Sequence, residues 1–387
     1  MDGKESSVRS SRHLYRCHGF KSHRGHSDCS SQGALLVSHY AISCLKRNHL
    51  AFAQTSTGDR RESLRKALKQ AIVMGAQGNC EASYIKPSQI AARLLPKRVK
   101  SVISSRPFYH KLTAWDLAVG KKRLDLVAAG FSNSFHRAGF SEKTPVRGKV
   151  CLEIGCGWVL SDALVMHLLG AKKVIATDIQ RMAYPEYLYR SIHASVDHVV
   201  LDVLSSFDDR DDIRSRLRNL FEIGHFSEDS LSRLGIEYVA PIDLARQSLE
   251  TTYDFVYSTS VLEHVPKTDV PQLLGNLARS LSVGGIMLHH VHLEDHQDSQ
   301  DHPFDFLSEP EELYTKEIET VRGNRIRASQ WREMMSSFDG VDCEFFIEWP
   351  RKDKPLPKVI DKSVSYTDET DLRTSHLGIL VEKRKGG

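Results

Sequence analysis

Short β-rich runs alternate with helical stretches from residue 149 onward, and this alternation limits the fold more than any other feature of the sequence. The strand candidates are Lys149–Ile154, Lys173–Thr177, Glu237–Ala240, Phe255–Tyr257, Ile286–Val291, Cys343–Glu348 and Leu377–Val381. Clear helical patterns between them are Leu160–Leu169, Val270–Leu281 and Ala328–Ser336. Because the first strands are nearly continuous in apolar residues, the pattern predicts an α/β fold with a doubly wound, mostly parallel seven-stranded sheet. No clear helix joins the last two strands, which predicts a C-terminal antiparallel hairpin.

The composition predicts three parts in the chain. Residues 1–33 are rich in Ser, Arg, His and Gly without apolar periodicity, so we expect a disordered basic leader. Residues 34–145 are expected to form a helical N-terminal extension or lid, in which the aromatic-rich stretch Phe108–Phe140 predicts two helices. Residues 146–387 are expected to form the α/β domain.

Basic residues are concentrated in the first hundred positions. Residues 1–100 carry 18 Lys and Arg against 6 Asp and Glu, although the net charge of the whole chain is only +4. A basic segment of this kind is either a solvated tail or a surface that contacts nucleic acid or anionic membrane. No apolar run is long enough to predict a membrane span. The seven cysteines are scattered without a CxxC pair, which predicts reduced thiols and a cytoplasmic protein.

A glycine turn follows the first predicted strand, where residues 150–157 read VCLEIGCG. Glycines at such a turn let a ligand approach the backbone, and the next helix offers free N–H groups. The dinucleotide fingerprint is incomplete because Leu160 stands at the third glycine position. Glu153 would repel a pyrophosphate but attract a cation or accept a hydrogen bond from an amine. The turn therefore favours a nucleoside with a positively charged tail over NAD.

Asp178 follows the second predicted strand, 23 residues after Gly155. This spacing is close to the roughly 20 residues expected for an acid that binds ribose hydroxyls. A carboxylate accepts two hydrogen bonds at once, and each charge-assisted bond contributes about 1.5–3 kcal/mol. A turn acid or a helix cap is the structural alternative. The glycine turn upstream favours the ribose-binding role.

These blocks resemble the class I S-adenosylmethionine-dependent methyltransferases over roughly Lys149 to the C-terminus. The resemblance is carried by the Glu153–Gly157 turn, Asp178, Tyr253–Val265 and Leu277–Met287. It implies a Rossmann-like fold, S-adenosylmethionine (SAM) as cofactor, and methyl transfer by in-line displacement.

The resemblance also implies which residues bind the cofactor. They are Glu153, Gly155, Cys156, Gly157, Asp178, Ile179, Asp243 and Ser258. In that family the glycine turn lies under the amino-acid end of SAM, Ile179 matches the residue that packs on adenine, and Asp243 matches an acid that accepts from the adenine amine. Ser258 matches a residue near the methyl end.

Two histidines are candidate catalytic residues. His264 follows the fourth predicted strand and suits a general base if the acceptor must lose a proton, because the pKa of an imidazole is near neutral. Shaping the pocket is the equally open alternative. His296 belongs to a polar cluster after the fifth strand, made of His289, His290, His292, Glu294, Asp295, His296, Asp301 and His302. This cluster is open to substrate binding, base catalysis or metal binding; its spacing is not diagnostic, and no metal ligand is predicted.

The segment Asn324–Arg327 carries two arginines before the sixth strand. One of them either reaches the rim to bind an anionic substrate or pairs with acids such as Glu317 and Glu319.

The function expected from these residues is methyl transfer to the oxygen or carbon of a small-molecule acceptor. The first alternative is an RNA methyltransferase whose basic N-terminal segment binds phosphates, although Tyr257–Ser260 replaces the Asn/Asp-Pro-Pro-Tyr motif of amine methylation. The second is a non-catalytic binding protein that retains the fold. The intact acids and glycines of the turn oppose that reading. The identity of the acceptor and the oligomeric state are not predicted.

Overall fold

The computed structural model describes residues 107–140 and 144–384, and its described part contains one seven-stranded sheet. The strands are β1 (Val150–Ile154), β2 (Lys173–Thr177), β3 (Ile236–Val239), β4 (Tyr253–Thr259), β5 (Leu281–His292), β6 (Val341–Pro350) and β7 (Thr374–Lys383). Their order across the sheet is β3-β2-β1-β4-β5-β7-β6. Strands β1 to β5 are parallel, whereas β7 is antiparallel to both of its neighbours.

Helices cover both faces of this sheet. They are α1 (Pro107–Ala118), α2 (Leu124–Arg137), α3 (Ser161–Leu168), α4 (Leu188–His193), α5 (Asp197–Leu204), α6 (Arg210–Glu222), α7 (Glu228–Arg233), α8 (Val270–Ser280), α9 (Lys316–Arg322), α10 (Ala328–Ser336) and α11 (Glu369–Arg373). Short 3₁₀ turns lie at Pro185–Tyr187, Leu262–His264, Asp305–Ser308 and Glu311–Leu313.

The predicted fold is confirmed, and each predicted strand is present close to its predicted bounds. The fourth and fifth strands are longer than predicted, because Tyr253 pairs with Leu281 across a register shift and extends both strands backward. The C-terminal hairpin is also confirmed. Its second strand, β7, is inserted between β5 and β6, so that β6 lies at the edge of the sheet.

The side chains of β1 alternate between two buried clusters. Cys151 packs with helices α2, α3, α5 and α6, whereas Leu152 and Ile154 pack with α8 and α10 on the opposite face. Period-two alternation therefore points Glu153 toward the same side as Cys151, toward α2 and α3. This orientation decides which groups surround the acid of the glycine turn.

The two helices predicted within Phe108–Phe140 are confirmed as α1 and α2. Helix α2 packs on the sheet, where Phe131 stacks on Tyr257 of β4 with ring centroids 4.3 Å apart. The predictions for residues 1–33 and for most of 34–106 lie outside the described residues, and the domain boundary at 145/146 stays a prediction. Within residues 107–140 and 144–384, no helix has the length and apolarity that crossing a bilayer requires.

Candidate active site

The glycine turn connects β1 to α3 at the carboxyl end of the sheet. Gly155 and Gly157 have φ angles of +70° and +65°, a region that L side chains disfavour. A Cβ at Gly155 would lie 2.4 Å from Val261 Cγ2, so this glycine is required by packing as well as by its backbone angle. At Gly157 an added Cβ would meet no atom within 4 Å, which leaves the turn open to a ligand.

Asp178 follows β2 and lies beside this turn. Its Oδ2 accepts a hydrogen bond from Gly157 N at 2.9 Å, and its Oδ1 accepts one from Gln180 N at 3.0 Å. Each carboxylate oxygen has lone pairs for more than one hydrogen bond, so both can still accept from a ligand. The structure therefore brings the two predicted halves of the nucleoside site together.

Glu153 lies in a buried polar cluster beneath the glycine turn. Its side chain is 3% exposed, and Oε2 accepts no hydrogen bond from the described residues. Lys122, from the turn between α1 and α2, forms an ion pair with Asp162 in the first turn of α3. Burial, reinforced by the negative charge of Asp162, raises the pKa of Glu153 well above its ordinary value, although the Lys122 ammonium opposes the shift.

The cluster also affects the neighbouring thiol and ammonium groups. Burial, with Glu153 adding to it, raises the pKa of the Cys156 thiol, which is therefore protonated at neutral pH. Burial disfavours the charged form of Lys122, but attraction to Asp162 outweighs it and leaves the pKa of Lys122 raised. Lys122 is thus a cation held by acids at the base of the glycine turn.

Ile179 and Asp243, the two residues predicted to contact adenine, lie beside Asp178. Ile179 is 64% exposed, so its apolar side chain is available to a flat ligand. Ile242 N donates to Asp178 O at 2.9 Å, which places the segment containing Asp243 next to Asp178. One oxygen of Asp243 accepts from Ala245 N at 3.0 Å, and the other is paired with Arg246.

Ser258 is fully buried at the carboxyl end of β4. Its hydroxyl is 2.8 Å from His289 Nδ1 of β5, and the two side chains form a buried pair. Burial lowers the pKa of His289 to about 3, so the ring is neutral. In this arrangement the Ser258 side chain connects two strands.

His264 and His296 meet at the rim beyond β4 and β5. Their ring centroids are 4.3 Å apart, and His296 Nε2 lies 3.4 Å from Oε1 of Glu263. His264 Nδ1 is 2.9 Å from the carbonyl oxygen of Thr320, to which it donates as Nδ1–H. Burial lowers the pKa of His264, which keeps its ring neutral with a free lone pair on Nε2. The two candidate catalytic residues therefore face one another.

The arginines of Asn324–Arg327 have structural contacts. Arg325 pairs with Glu311 at 2.6 Å, not with the expected Glu317 or Glu319, and lies over the ring of Tyr314. Arg327 is fully buried and donates to the carbonyl oxygen of Leu293 at 2.7 Å, so it is not at the rim. Neither arginine is available to an anionic substrate in this arrangement.

Sequence reasoning missed Lys122 and Asp162. The position of Asp162 in the first turn of the helix after the glycines was an available signal, since acids there face the turn. Lys122 precedes β1 by 28 residues, and no local pattern connects it to the site. Glu263 lies within the block Tyr253–Val265, but its buried, unpartnered carboxylate depends on groups distant in sequence.

Comparison with known proteins gives one family match. A family model described as a methyltransferase domain matches residues 131–339, which is more than half of the chain. No curated protein sequence matches the chain.

Three solved structures are among those similar to this chain. TehB from Haemophilus influenzae is 16% identical with a TM-score of 0.32, and the match covers 61% of this chain and 58% of that one. The N-methyltransferase NodS from Bradyrhizobium japonicum WM9, in complex with S-adenosyl-L-homocysteine, is 12% identical (TM-score 0.32), covering 66% of this chain and 88% of that one. Magnesium protoporphyrin IX methyltransferase (ChlM) from Synechocystis PCC 6803, also with S-adenosyl-L-homocysteine bound, is 14% identical (TM-score 0.36), covering 74% and 98%. None of these likenesses bears on a substrate of this chain.

Proposed function

The chain belongs to the class I SAM-dependent methyltransferases, and from that premise we propose that it transfers a methyl group to the oxygen or carbon of a small-molecule acceptor. The observation that carries the acceptor class is the rim beyond β4 and β5, where histidines and carboxylates meet and the nearby arginines are already paired. The cofactor is SAM.

The residues at the glycine turn suit SAM in three respects. The unpartnered Glu153 Oε2 is a buried acceptor that lacks a hydrogen-bond donor, which the cofactor's amino group supplies. The open space above Gly157 lets a ligand approach the backbone. The exposed Ile179 beside Asp178 provides an apolar surface next to an acid that accepts from ribose hydroxyls.

When bound, SAM supplies a methyl group on a positively charged sulfur that needs no further activation. The protein's task is then alignment of the acceptor and exclusion of water. In this proposal Asp178 and the glycine turn hold the nucleoside and the amino-acid end. Val261 packs against Gly155 and so connects the glycine turn to the 3₁₀ turn that carries Glu263 and His264.

A neutral imidazole at the rim is able to take a proton from an acceptor hydroxyl or from an acidic carbon. His264 Nε2 has that capacity because its Nδ1 donates to Thr320 and its lowered pKa disfavours the imidazolium. His296 Nε2, which has no hydrogen-bond partner among the described residues, is a second imidazole nitrogen at the same rim. We assign both to the acceptor side of the site.

The charge of the rim supports a small molecule over RNA. Binding to a phosphate backbone needs several free lysines or arginines. Among the described residues near the rim, Arg322 is paired with Asp295 at 2.6 Å, Arg325 with Glu311, and Arg351 with Glu294 at 2.8 Å. Each of these cations is neutralised by a carboxylate, which leaves none of the three free for a phosphate.

The test uses the full chain and SAM with an isotopically labelled methyl group. The purified protein is incubated with a small-metabolite extract and, separately, with total RNA, and the label is followed in each fraction. We expect label in the metabolite fraction and no salt-sensitive RNA binding. The Asp178→Ala variant is the control, because it should lose most of the transfer. Label in RNA, with affinity that falls steeply as salt rises, would overturn the acceptor assignment.

A further inference from the structure

Glu263, His264 and His296 each offer one ligand atom, and these three atoms lie within 4.8 Å of one another. A metal ion held at about 2.0–2.2 Å by each ligand sets ligand atoms roughly 3–4 Å apart, so small side-chain rotations suffice to close the set. We propose that these three residues bind a divalent transition-metal ion at the acceptor side of the methyl-transfer site.

The strongest argument is the carboxylate of Glu263. The residue is 1% exposed, and neither of its oxygens accepts a hydrogen bond from the described residues. A buried polar group without a partner costs about 1–3 kcal/mol, and more when it is charged. His296 Nε2 lies 3.4 Å from Glu263 Oε1 and is also unpartnered. A metal ion between them satisfies both groups.

Hydrogen bonds from neighbouring residues also orient His264 and the backbone of Glu263. The bond from His264 Nδ1–H to the carbonyl oxygen of Thr320, at 2.9 Å, leaves the Nε2 lone pair for a ligand, as in most histidine metal ligands. Asn324 supports the turn, because its backbone N donates to Glu263 O at 2.7 Å and its side chain donates to Leu262 O and Val265 O at 2.9 Å. The backbone that carries both Glu263 and His264 is therefore held in place.

A second group of potential ligands, His292, Glu294 and His376, lies nearby but is already satisfied. One oxygen of Glu294 is 2.6 Å from His292 Nε2, and the other accepts from Arg351 at 2.8 Å. A metal ion there would have to displace an arginine and break a histidine–carboxylate bond. The Glu263 set needs no such displacement.

Two imidazoles and one carboxylate favour zinc, iron(II) or cobalt(II) over magnesium or calcium, which prefer all-oxygen ligands. Three protein ligands leave at least one coordination position open. Resting on the proposed function, we assign that position to the oxygen of the methyl acceptor, whose bound hydroxyl would lose its proton to solvent water more readily. With the metal bound, His264 and His296 are ligands and neither acts as the base; the acceptor oxygen takes the methyl group as the carbon–sulfur bond of SAM breaks and S-adenosylhomocysteine leaves. The proximity of Val261 to Gly155 places this position beside the cofactor turn.

The test measures metal binding directly, so it does not depend on methyl transfer. Full-length protein freed of metal with a chelator is titrated with Co²⁺ and followed by calorimetry and visible absorption, with Zn²⁺ as competitor. Every sample carries Cys17→Ser and Cys29→Ser, because cysteine thiolates bind the same ions and these two lie among the histidines of residues 1–33. We expect one Co²⁺ per chain with a micromolar or lower Kd.

Glu263→Gln and His296→Asn should each weaken Co²⁺ binding at least about 100-fold. Mutating a residue that only hydrogen-bonds to a metal ligand already lowers metal affinity about 10–100-fold, and these two residues are the ligands themselves. The matched controls His302→Asn and His376→Asn should leave it unchanged; His302 is an exposed histidine of the same segment, paired with Asp305 at 3.2 Å. Unchanged affinity for S-adenosylhomocysteine shows that the variants fold. Absence of Co²⁺ binding in the parent protein, or loss in His376→Asn but not in Glu263→Gln, overturns the assignment. Co²⁺ binding without any methyl transfer would leave the metal site standing and count against the proposed function alone.

Discussion

Asp178 Oδ2 accepts a hydrogen bond from the backbone N–H of Gly157 at 2.9 Å, so the acid after β2 is tied to the glycine turn after β1. The same carboxylate is expected to bind the ribose of SAM. Its removal therefore affects both the shape of the turn and the affinity for the ligand, and the two effects need separate controls.

Replacing Asp178 by alanine should weaken binding of S-adenosylhomocysteine at least tenfold, or about 1.4 kcal/mol, because the ribose loses a charged acceptor. Calorimetry measures this, with an expected Kd of about 1–100 μM for the unmodified protein. Asp209→Ala is the matched control, since Asp209 also accepts from backbone N–H groups, at 2.9 and 3.0 Å, at the start of α6. Equal affinity in Asp178→Ala and the unmodified protein would refute the ribose assignment.

The two glycines of the turn should respond differently to alanine. Gly155→Ala adds a 2.4 Å clash with Val261 to a positive φ, so unfolding free energy should fall by more than the roughly 1–2 kcal/mol of the backbone angle alone. Gly157→Ala has only the backbone cost, but its methyl group enters the space that the ligand needs. Denaturant unfolding and calorimetry separate the two effects.

Gly139→Ala is the control for that comparison, because Gly139 has φ +73° with open space around its Cα and lies after α2. It should lose stability to a similar extent as Gly157→Ala and keep full affinity for S-adenosylhomocysteine. A Gly157→Ala protein that binds normally would contradict a close approach of the cofactor to this turn.

Lys122→Met should lower the free energy of unfolding by about 1–3 kcal/mol, because Asp162 and Glu153 then share a buried site without their cation. The figure is below that of a fully buried pair, since the Lys122 side chain is 31% exposed. Lys121→Met is the matched control at an exposed neighbouring position. Urea unfolding measures both variants, and equal losses would mean that Lys122 contributes no specific ion pair.

Glu153→Gln should be more stable than the unmodified protein at neutral pH, yet bind S-adenosylhomocysteine more weakly. Burial raises the pKa of Glu153 above its ordinary value of 4.5, so ionisation favours the unfolded chain. The stability contributed by its neutral form is complete below that ordinary pKa and is lost as pH rises through the raised pKa. The advantage of the variant should therefore vanish near pH 4. A less stable variant at pH 7 would show that Lys122 fully compensates the acid.

Acid should destabilise the protein through His289 and His290. Burial lowers their pKa values from 6.5 to about 3 and about 4, so the unfolded chain binds protons that the folded chain excludes. Stability is then complete above pH 6.5 and falls by about 1.4 kcal/mol per pH unit for each histidine as pH drops toward the folded values. His289→Gln should reduce the slope of stability against pH by the contribution of one histidine, about 1.4 kcal/mol per pH unit. His198→Gln, at an exposed position, should leave the slope unchanged. Unfolding curves from pH 7 to 5 measure the slopes.

Strands and the cofactor turn were predictable because their signals are local. The apolar run of β1, the glycines after it and Asp178 after β2 are adjacent or regularly spaced in sequence, and backbone geometry alone brings them together. The bounds of β2 and α10 match the prediction to the residue.

The rest of the site depends on contacts between distant segments. Lys122 reaches Asp162 across 40 residues, and Ser258 meets His289 across 31. The sequence left the arginines of Asn324–Arg327 either at the rim or paired with nearby acids. The structure instead buries Arg327, which donates to two backbone carbonyl oxygens. Such contacts form only when helices and strands distant in sequence pack together, so a local sequence pattern does not predict them.

The insertion of β7 between β5 and β6 has a consequence for the order of assembly. A ribosome that has released the chain only as far as Pro350 presents β6 with no neighbouring strand to join, because its hydrogen-bonding partner in the sheet is β7. Strands β1 to β5 can associate as they emerge, but the edge of β5 stays bare until Thr374–Lys383 is synthesised. Newly made chains thus pass through an interval in which two unsatisfied strand edges are open to chaperones, or to one another.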